Sequence, residues 1–322
     1  MSDKIQLQEI IPDELSGMRL DQALAKMFPD FSRGQLTKWV KAGDVTVNEA
    51  LLRPRDSVIG GENVIIDTVL QSQDESWSAE SIALDIFYED DDVIILNKPA
   101  GMVVHPGAGN HQGTLVNALL AHAPELANIP RAGIVHRLDK ATTGLLMVAK
   151  TLKAHNSLVS QLQARTVQRE YQAIAIGVMT AGGTVDEPIG RHHIDRKRMA
   201  ISQTGKPAIT HYRVEQRFRA HTHIRCKLET GRTHQIRVHM AHIRHPLLGD
   251  QVYAGRFKMA KGMSESCREA VQSFRRQALH AGLLGFQHPS TGEDVSWQAE
   301  LPEDMQNMLD HLAKDSKQAA EE

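Results

Sequence analysis

Apolar residues recur at two different periods along this chain, and the changes of period mark its elements. Leu20, Ala23, Leu24, Met27 and Phe28 fall at helical spacing and predict one amphipathic helix. Ser32 with Gln35 in the capping-box position opens a second helix that buries Leu36, Trp39 and Val40, and Gly43 ends it. Alternating stretches follow at Val45–Val47 and Val58–Ile66, with Gly60-Gly61 as the turn. Residues 1–75 therefore read as a small α/β module. Residues 70–81 (LQSQDESWSAES) are polar, Ser-rich and acidic, which is the composition of a linker. Beyond them the pattern changes to short apolar runs. Val93–Leu96, Leu145–Ala149, Tyr171–Ile176 and Ile209–Val214 predict strands. Leu115, Ala118, Leu119 and His122 lie on one helical face, as do Met305, Met308, Leu309 and Leu312. Strands and helices do not alternate strictly, so residues 82–313 are expected to form an α+β domain around a mixed sheet. The charged end, residues 314–322, is expected to be a frayed tail.

A chain of 322 residues, 41% hydrophobic and 24% charged, suits two globular domains with room for a sizeable core. Its two cysteines, Cys226 and Cys267, match no zinc or redox spacing and read as reduced thiols. The start, MSDKIQLQEIIPDEL, lacks a basic segment followed by an apolar one, and no apolar run approaches the length of a membrane span. A cytoplasmic protein with no membrane partner is expected. The net charge of −2 hides an asymmetry. Residues 186–245 hold 13 Lys and Arg against 5 Asp and Glu, whereas residues 290–322 hold 2 against 9. A basic block in a neutral chain is a candidate polyanion-binding face, and a solvated charged surface is the plainer alternative.

Two segments could carry chemistry. In Ile134-Val135-His136-Arg137-Leu138-Asp139-Lys140, an apolar lead-in meets a polar cluster, and an apolar run follows from Leu145. This puts Asp139 on a turn beside a sheet. Its basic neighbours favour an ionised carboxylate, suited to act as base or nucleophile; the ordinary alternative is a turn aspartate capping its own backbone. In the second segment, Leu228 to His239 (LETGRTHQIRVH), Gly231 supplies a turn, Thr233 is the expected cap, and Ile236, Met240 and Ile243 form one helical face. Arg237 lies just inside that helix, free to pair with a carboxylate elsewhere. His234, His239, His242 and His245 invite a metal-hydrolase reading, but no HExxH or other familiar ligand spacing completes it. The loop from Gly107 to Gly113 misses the dinucleotide fingerprint, and no GxxxxGK[ST] is present, so nucleotide hydrolysis has no support.

The stretch RLDQAL…SRGQLTKWVKAGDVTVN resembles the S4 RNA-binding domain. Arg19, Arg33, Lys38 and Lys41, with Lys26, Arg53 and Arg55, would form its RNA-facing basic surface. Farther on, Asn97-Lys98-Pro99-Ala100-Gly101 with His105, the HRLD segment ending at Asp139, Arg169-Glu170-Tyr171 and the TGRTHQIRVH segment appear in order. Gln277-Ala278-Leu279-His280-Ala281 extends the series. Together they resemble the pseudouridine synthases of the RluA type, and the likeness spans the whole chain. It implies a largely antiparallel central sheet. It also implies a monomer that acts on uridines of large-subunit rRNA or of a ribosomal subunit precursor. Asp139 would be the catalytic carboxylate, Arg137 would enter the stack vacated by a flipped base, Tyr171 would pack against that base, and Arg237 would hold Asp139 charged. Uridine isomerisation oxidises nothing and uses no second substrate, so neither cofactor nor metal is expected. Whether the carboxylate attacks C1′ or removes a C2′ proton stays open, since both need its ionised form. One departure is Ala141, where relatives usually carry an acidic residue. The rival reading is a non-catalytic RNA-binding assembly factor, whose signature would be loss of the carboxylate at position 139.

Overall fold

The computed structural model describes residues 4–29, 31, 33–69, 77–107, 110, 112–195, 198–255 and 262–321. The chain divides into two compact units after Ser76. In the first, β1 (Lys4–Ile10) precedes α1 (Leu20–Met27) and α2 (Arg33–Ala42), and β2 (Val45–Val47) and β3 (Asn63–Val69) follow. Leu20, Ala23, Leu24, Leu36, Trp39 and Val40 are buried on the inward helical faces, against Val45, Val47, Val64 and Ile66 of the strands. The strand expected from Val58 starts only at Asn63, because Gly60 and Gly61 turn the chain at positive φ. The prediction also leaves out β1, which pairs antiparallel with β3 from Lys4↔Val69 to Ile10↔Asn63. Its partner lies some sixty residues away, beyond any local signal. The proposed cap Ser32 and the linker residues 70–76 lie outside the described residues.

In the second unit, β4 (Ile86–Glu89) and β5 (Val93–Lys98) lead to α3 (Leu115–His122), β6 (Thr143–Ala149), α4 (Leu152–Ala164) and β7 (Gln168–Ile176). Next come β8 (Gly183–Asp186), the short pair β9 (Ile189–Arg191) and β10 (Met199–Ile201), and the long strands β11 (Ile209–Arg217) and β12 (His221–Leu228). Helices α5 (Gln235–His242) and α6 (Glu265–Ser273), strands β13 (Leu279–Gln287) and β14 (Asp294–Gln298), and helix α7 (Glu303–Glu321) complete it. The main sheet runs β4-β5-β6-β13-β7-β12-β11-β8, with β14 beside β13. Its one parallel contact joins β13 to β6, and the other pairs are antiparallel, which makes this the expected α+β fold with a mixed, largely antiparallel sheet.

The sheet is covered on both faces. Ile94, Leu96, Leu146 and Val148 point to the side of α3, whereas Val93, Ile95, Leu145, Met147 and Ala149 point to the side of α4. This is why β6 is buried at every position and reads as an unbroken apolar run, not an alternating one. Where β6 meets β13, Gly144 has φ +114, and a Cβ there would run into the backbone of Ala281. Only glycine allows these two strands to approach so closely.

Two boundary expectations need correction. Residues 77–81 are not loose linker. Trp77 packs on the main core, the Ser78 carbonyl accepts from Asn117 Nδ2 at 2.7 Å, and the Glu80 carboxylate accepts from the Gly113 amide at 3.1 Å. Nor does the end of the chain fray at Lys314, since α7 continues to Glu321. Asp315, 2% exposed, accepts from the Ser264 amide and pairs with Arg219, so an anchored residue sits inside the expected tail.

Candidate active site

Asp139 sits in the irregular segment between Ile134 and β6, as its turn-like sequence suggests. The carbonyls around it are held from outside. Lys98, fully buried at the end of β5, donates from Nζ to the carbonyls of Pro99 (2.8 Å), Met102 (3.0 Å) and Lys140 (3.1 Å). Burial drops its pKa to about 8, with Asp139 pulling it up and Arg276 pushing it down. Arg276 reaches the Ala141 carbonyl at 3.4 Å while its other nitrogens clasp Asp304. Gln277 Nε2 donates to Thr142 Oγ1 at 3.0 Å, and the Thr142 amide closes the turn onto the Asp139 carbonyl. Ala141 is thus held through its backbone, and the missing acidic side chain leaves the turn intact.

From the other side comes α5. Its Arg237 donates from Nη1 to Asp139 Oδ2 at 2.9 Å, and from Nε and Nη2 to both oxygens of Asp250 at 2.7 and 3.0 Å. Asp250 is itself tied down by the Val252 and Tyr253 amides. One guanidinium therefore serves two carboxylates. Burial alone would ease its proton off, but the two aspartates outweigh that and hold it charged. The other oxygen of Asp139, Oδ1, faces His234 Nε2 at 3.8 Å, beyond hydrogen-bond range.

Asp139, Arg137, Tyr171 and Arg237 line a single small cleft together with Leu138, Thr142, Leu228, Arg232, His234, Gln235, Ile236 and Leu279. Arg137 is exposed there. Tyr171, on β7, is 7% exposed and belongs to both the main core and the cleft wall. Burial pushes its phenol up, Arg169 pulls it down and Asp139 pushes it up, so it stays a neutral hydroxyl at neutral pH. The structure thus brings together, in one concavity, four residues that the sequence scatters over a hundred positions.

The N-cap of α5 is His234, at φ 57 in the left-handed region, so Thr233 is not its cap. Gln235 fixes the entry instead, accepting from the Arg232 amide and the Thr230 hydroxyl. Three of the four histidines of this region have partners of their own. His239 meets Thr210 Oγ1 and the Glu187 carbonyl, His245 Nδ1 donates to the Ile176 carbonyl, and His234 Nδ1 meets Tyr253 Oη at 2.7 Å. Among the described residues no cluster of three metal-ligating side chains forms.

The four basic residues singled out in the first unit divide into two kinds. Lys38 and Lys41 are exposed. Arg19 and Arg33 are instead both drawn onto Asp21, with contacts from 2.7 to 3.2 Å. Sequence reasoning missed that anchor, and it also missed Asp250 and Tyr253. An aspartate after Leu-Leu-Gly reads as a turn capper, which Asp250 also is. Lys98 was visible only as part of a motif; the signal for its role is a lysine at the end of a strand that opens with a four-residue apolar run.

A fold of this topology with a carboxylate–guanidinium pair in a basic-rimmed cleft defines a class, and comparison with known proteins agrees. The family model described as RNA pseudouridylate synthase matches residues 92–242, and the S4 domain model matches residues 18–64. The chain belongs to the pseudouridine synthase family and is an RNA pseudouridine synthase carrying an S4 domain. Among its relatives is the ribosomal large subunit pseudouridine synthase D of Pseudomonas aeruginosa, 55% identical over 98% of both chains. The protein of the same name from Vibrio parahaemolyticus is 54% identical over 99% of this chain and 98% of its own. Among solved structures, human RNA pseudouridylate synthase domain containing 4 superposes with a TM-score of 0.56 at 26% identity, covering 71% of this chain and 92% of the human one. The rival assembly-factor reading expects a lost carboxylate; Asp139 is present and built into a formed site.

Proposed function

We propose that this chain converts uridine to pseudouridine in large-subunit rRNA or its ribosomal precursor, in the cytoplasm, with Asp139 as the catalytic carboxylate. The observation that carries the proposal is the unequal use of the two Asp139 oxygens. Arg237 engages Oδ2 at 2.9 Å, while Oδ1 stays uncommitted in the cleft. A charged carboxylate with one oxygen oriented and the other available suits either attack on C1′ or removal of a C2′ proton. The N1–C1′ bond breaks, the uracil turns, C5 bonds to C1′, and the C5 proton is replaced by one at N1. Electrons and atoms balance within one nucleotide.

A base inside folded RNA must first leave its stack. Arg137, exposed at the cleft, is placed to fill the gap, and Tyr171 offers its ring to the extruded uracil; such stacking contributes about 1–3 kcal/mol per base. Lys38 and Lys41, with Arg19 and Arg33 displayed from Asp21, supply phosphate contacts from the S4 unit. The large-subunit assignment leans on the names of relatives that match this chain over nearly its full length. The test is chemical mapping of pseudouridine in rRNA from cells with and without this protein. Loss of modification at particular large-subunit uridines is expected; an unchanged large-subunit map contradicts the substrate.

A further inference from the structure

His234 is the residue through which the chain enters α5. At φ 57 and ψ 21 it occupies the left-handed region as the N-cap of α5, yet its side chain caps nothing. Asparagine, aspartate and histidine are the non-glycine residues found there most often, so the conformation narrows the choice of residue without fixing it as histidine. The imidazole is instead directed at Asp139 and fixed from behind. Tyr253 Oη accepts from the Met199 amide at 2.9 Å, which leaves its own proton available to His234 Nδ1, 2.7 Å away. In that arrangement Nδ1 accepts, and the ring's proton is on Nε2, the nitrogen that faces Asp139 Oδ1 at 3.8 Å.

The surroundings keep this ring neutral. Arg237 and Arg137 oppose a second proton, and Asp139 and Asp250 favour one. Burial is the largest influence and holds the imidazole below its ordinary range. Tyr253 is held in turn beneath the Arg237 guanidinium, 4.9 Å from its ring centre, with Arg198 at 5.4 Å. Lys98, Tyr171 and Tyr253 also interact electrostatically with Asp139.

We propose that His234 is a positioning residue for the isomerisation: locked by Tyr253 with its proton on Nε2, it donates to Asp139 Oδ1 when RNA closes the cleft. The 3.8 Å gap needs to shorten by less than an ångström to become a hydrogen bond, and such contacts often tighten only in the loaded site. With Arg237 on Oδ2 and His234 on Oδ1, the carboxylate can no longer rotate, and its remaining lone pairs are aimed at the sugar. This rests on Asp139 being the catalytic carboxylate.

The test uses His234→Asn, which fits the backbone but falls short of Asp139, and His234→Gln, whose amide N–H can reach it. Tyr253→Phe and the His234→Asn/Tyr253→Phe double variant complete the set, with Asp139→Asn as control. Single-turnover rate at saturating rRNA fragment, RNA affinity and melting temperature are measured for each. His234→Asn is expected to slow the saturated rate about tenfold to a hundredfold, the scale of a misaimed catalytic group. Affinity should stay within about twofold, and melting temperature should not fall. His234→Gln should recover part of the rate. Tyr253→Phe should cost less, and nothing further once His234 is replaced, because it acts through that ring. A normal saturated rate in His234→Asn, or an undiminished Tyr253→Phe loss in the double variant, overturns the proposal. If Asp139→Asn is inactive while His234→Asn is normal, only this inference fails; if Asp139→Asn turns over, the reading beneath it fails as well.

Discussion

Of the aspartate–arginine assemblies among the described residues, the one around Asp21 and the one around Arg237 lie in different units and are built in opposite senses. In the S4 unit a single buried carboxylate, Asp21, receives four hydrogen bonds from two half-exposed guanidinium groups, Arg19 and Arg33. In the catalytic unit a single buried guanidinium, Arg237, is shared by two carboxylates, Asp139 and Asp250. The first arrangement carries a net positive charge and leaves no aspartate oxygen free, so it displays cations outward. The second carries a net negative charge and leaves Asp139 Oδ1 open. On the proposed function, the same two residue types serve as a docking element in one place and a reactive group in the other. What decides is which partner is in excess and which one is buried.

Breaking the catalytic assembly should do the most damage. Arg237→Met leaves the buried Asp250 and the part-buried Asp139 without their shared counter-charge, and breaking a buried pair in this way costs about 3–5 kcal/mol. A lowered melting temperature together with loss of turnover is expected. A variant of normal stability would show that Asp250 does not depend on this guanidinium.

Next in size is a pH effect on the turn that carries Asp139. Lys98 uses three ammonium hydrogens on three carbonyls, and its pKa of about 8 means one is lost in mild alkali. The single-turnover rate should therefore fall on an alkaline limb centred near pH 8. The sign for stability is opposite. The unfolded chain holds this proton up to about pH 10.4. Between the two values it binds more protons than the folded chain, so this group's contribution to stability rises with pH there. Activity should drop while unfolding measurements show no loss from this lysine. A rate that stays flat from pH 7 to 9.5 would separate Lys98 from the turn's function.

The smallest effect belongs to the S4 assembly. Burial pushes the Asp21 carboxyl up, but the hydrogen bonds from Arg33 and Arg19 outweigh it and hold the group below its ordinary range. Its stabilising contribution is thus present above about pH 4 and lost as pH falls through the lowered folded value. Asp21→Asn should destabilise the S4 unit by about 1–3 kcal/mol and weaken RNA binding, with the saturated rate near normal. Collapse of that saturated rate would make the S4 unit part of the chemistry and erase the contrast between the assemblies.

The two assemblies also differ in how legible they were. The HRLD and THQIR segments stood out because polar residues interrupt apolar runs at places where a sheet gives way to a turn, and the family resemblance gave Asp139 and Arg237 their expected partnership. Their meeting across 98 positions is visible only in the fold. Asp21 was hidden by its company: in RLDQAL it reads as one more exposed helical charge, and nothing local says that Arg33 will bend back onto it. The same holds for β1, whose partner strand begins near residue 63, and for Tyr253, which serves His234 from another turn. Local periodicity carried the helices and central strands. Pairings between distant turns needed the fold.

The central claim is that Asp139 does the chemistry and that its charge, not its shape, is what matters. Asp139→Asn keeps the size and the hydrogen bond from Arg237 while removing the negative charge. The decisive measurement is single-turnover pseudouridine formation on the rRNA target by this variant at saturating RNA, with RNA affinity measured in parallel. The account predicts no detectable pseudouridine with affinity close to that of the parent. Pseudouridine formation at a rate near that of the parent would contradict it.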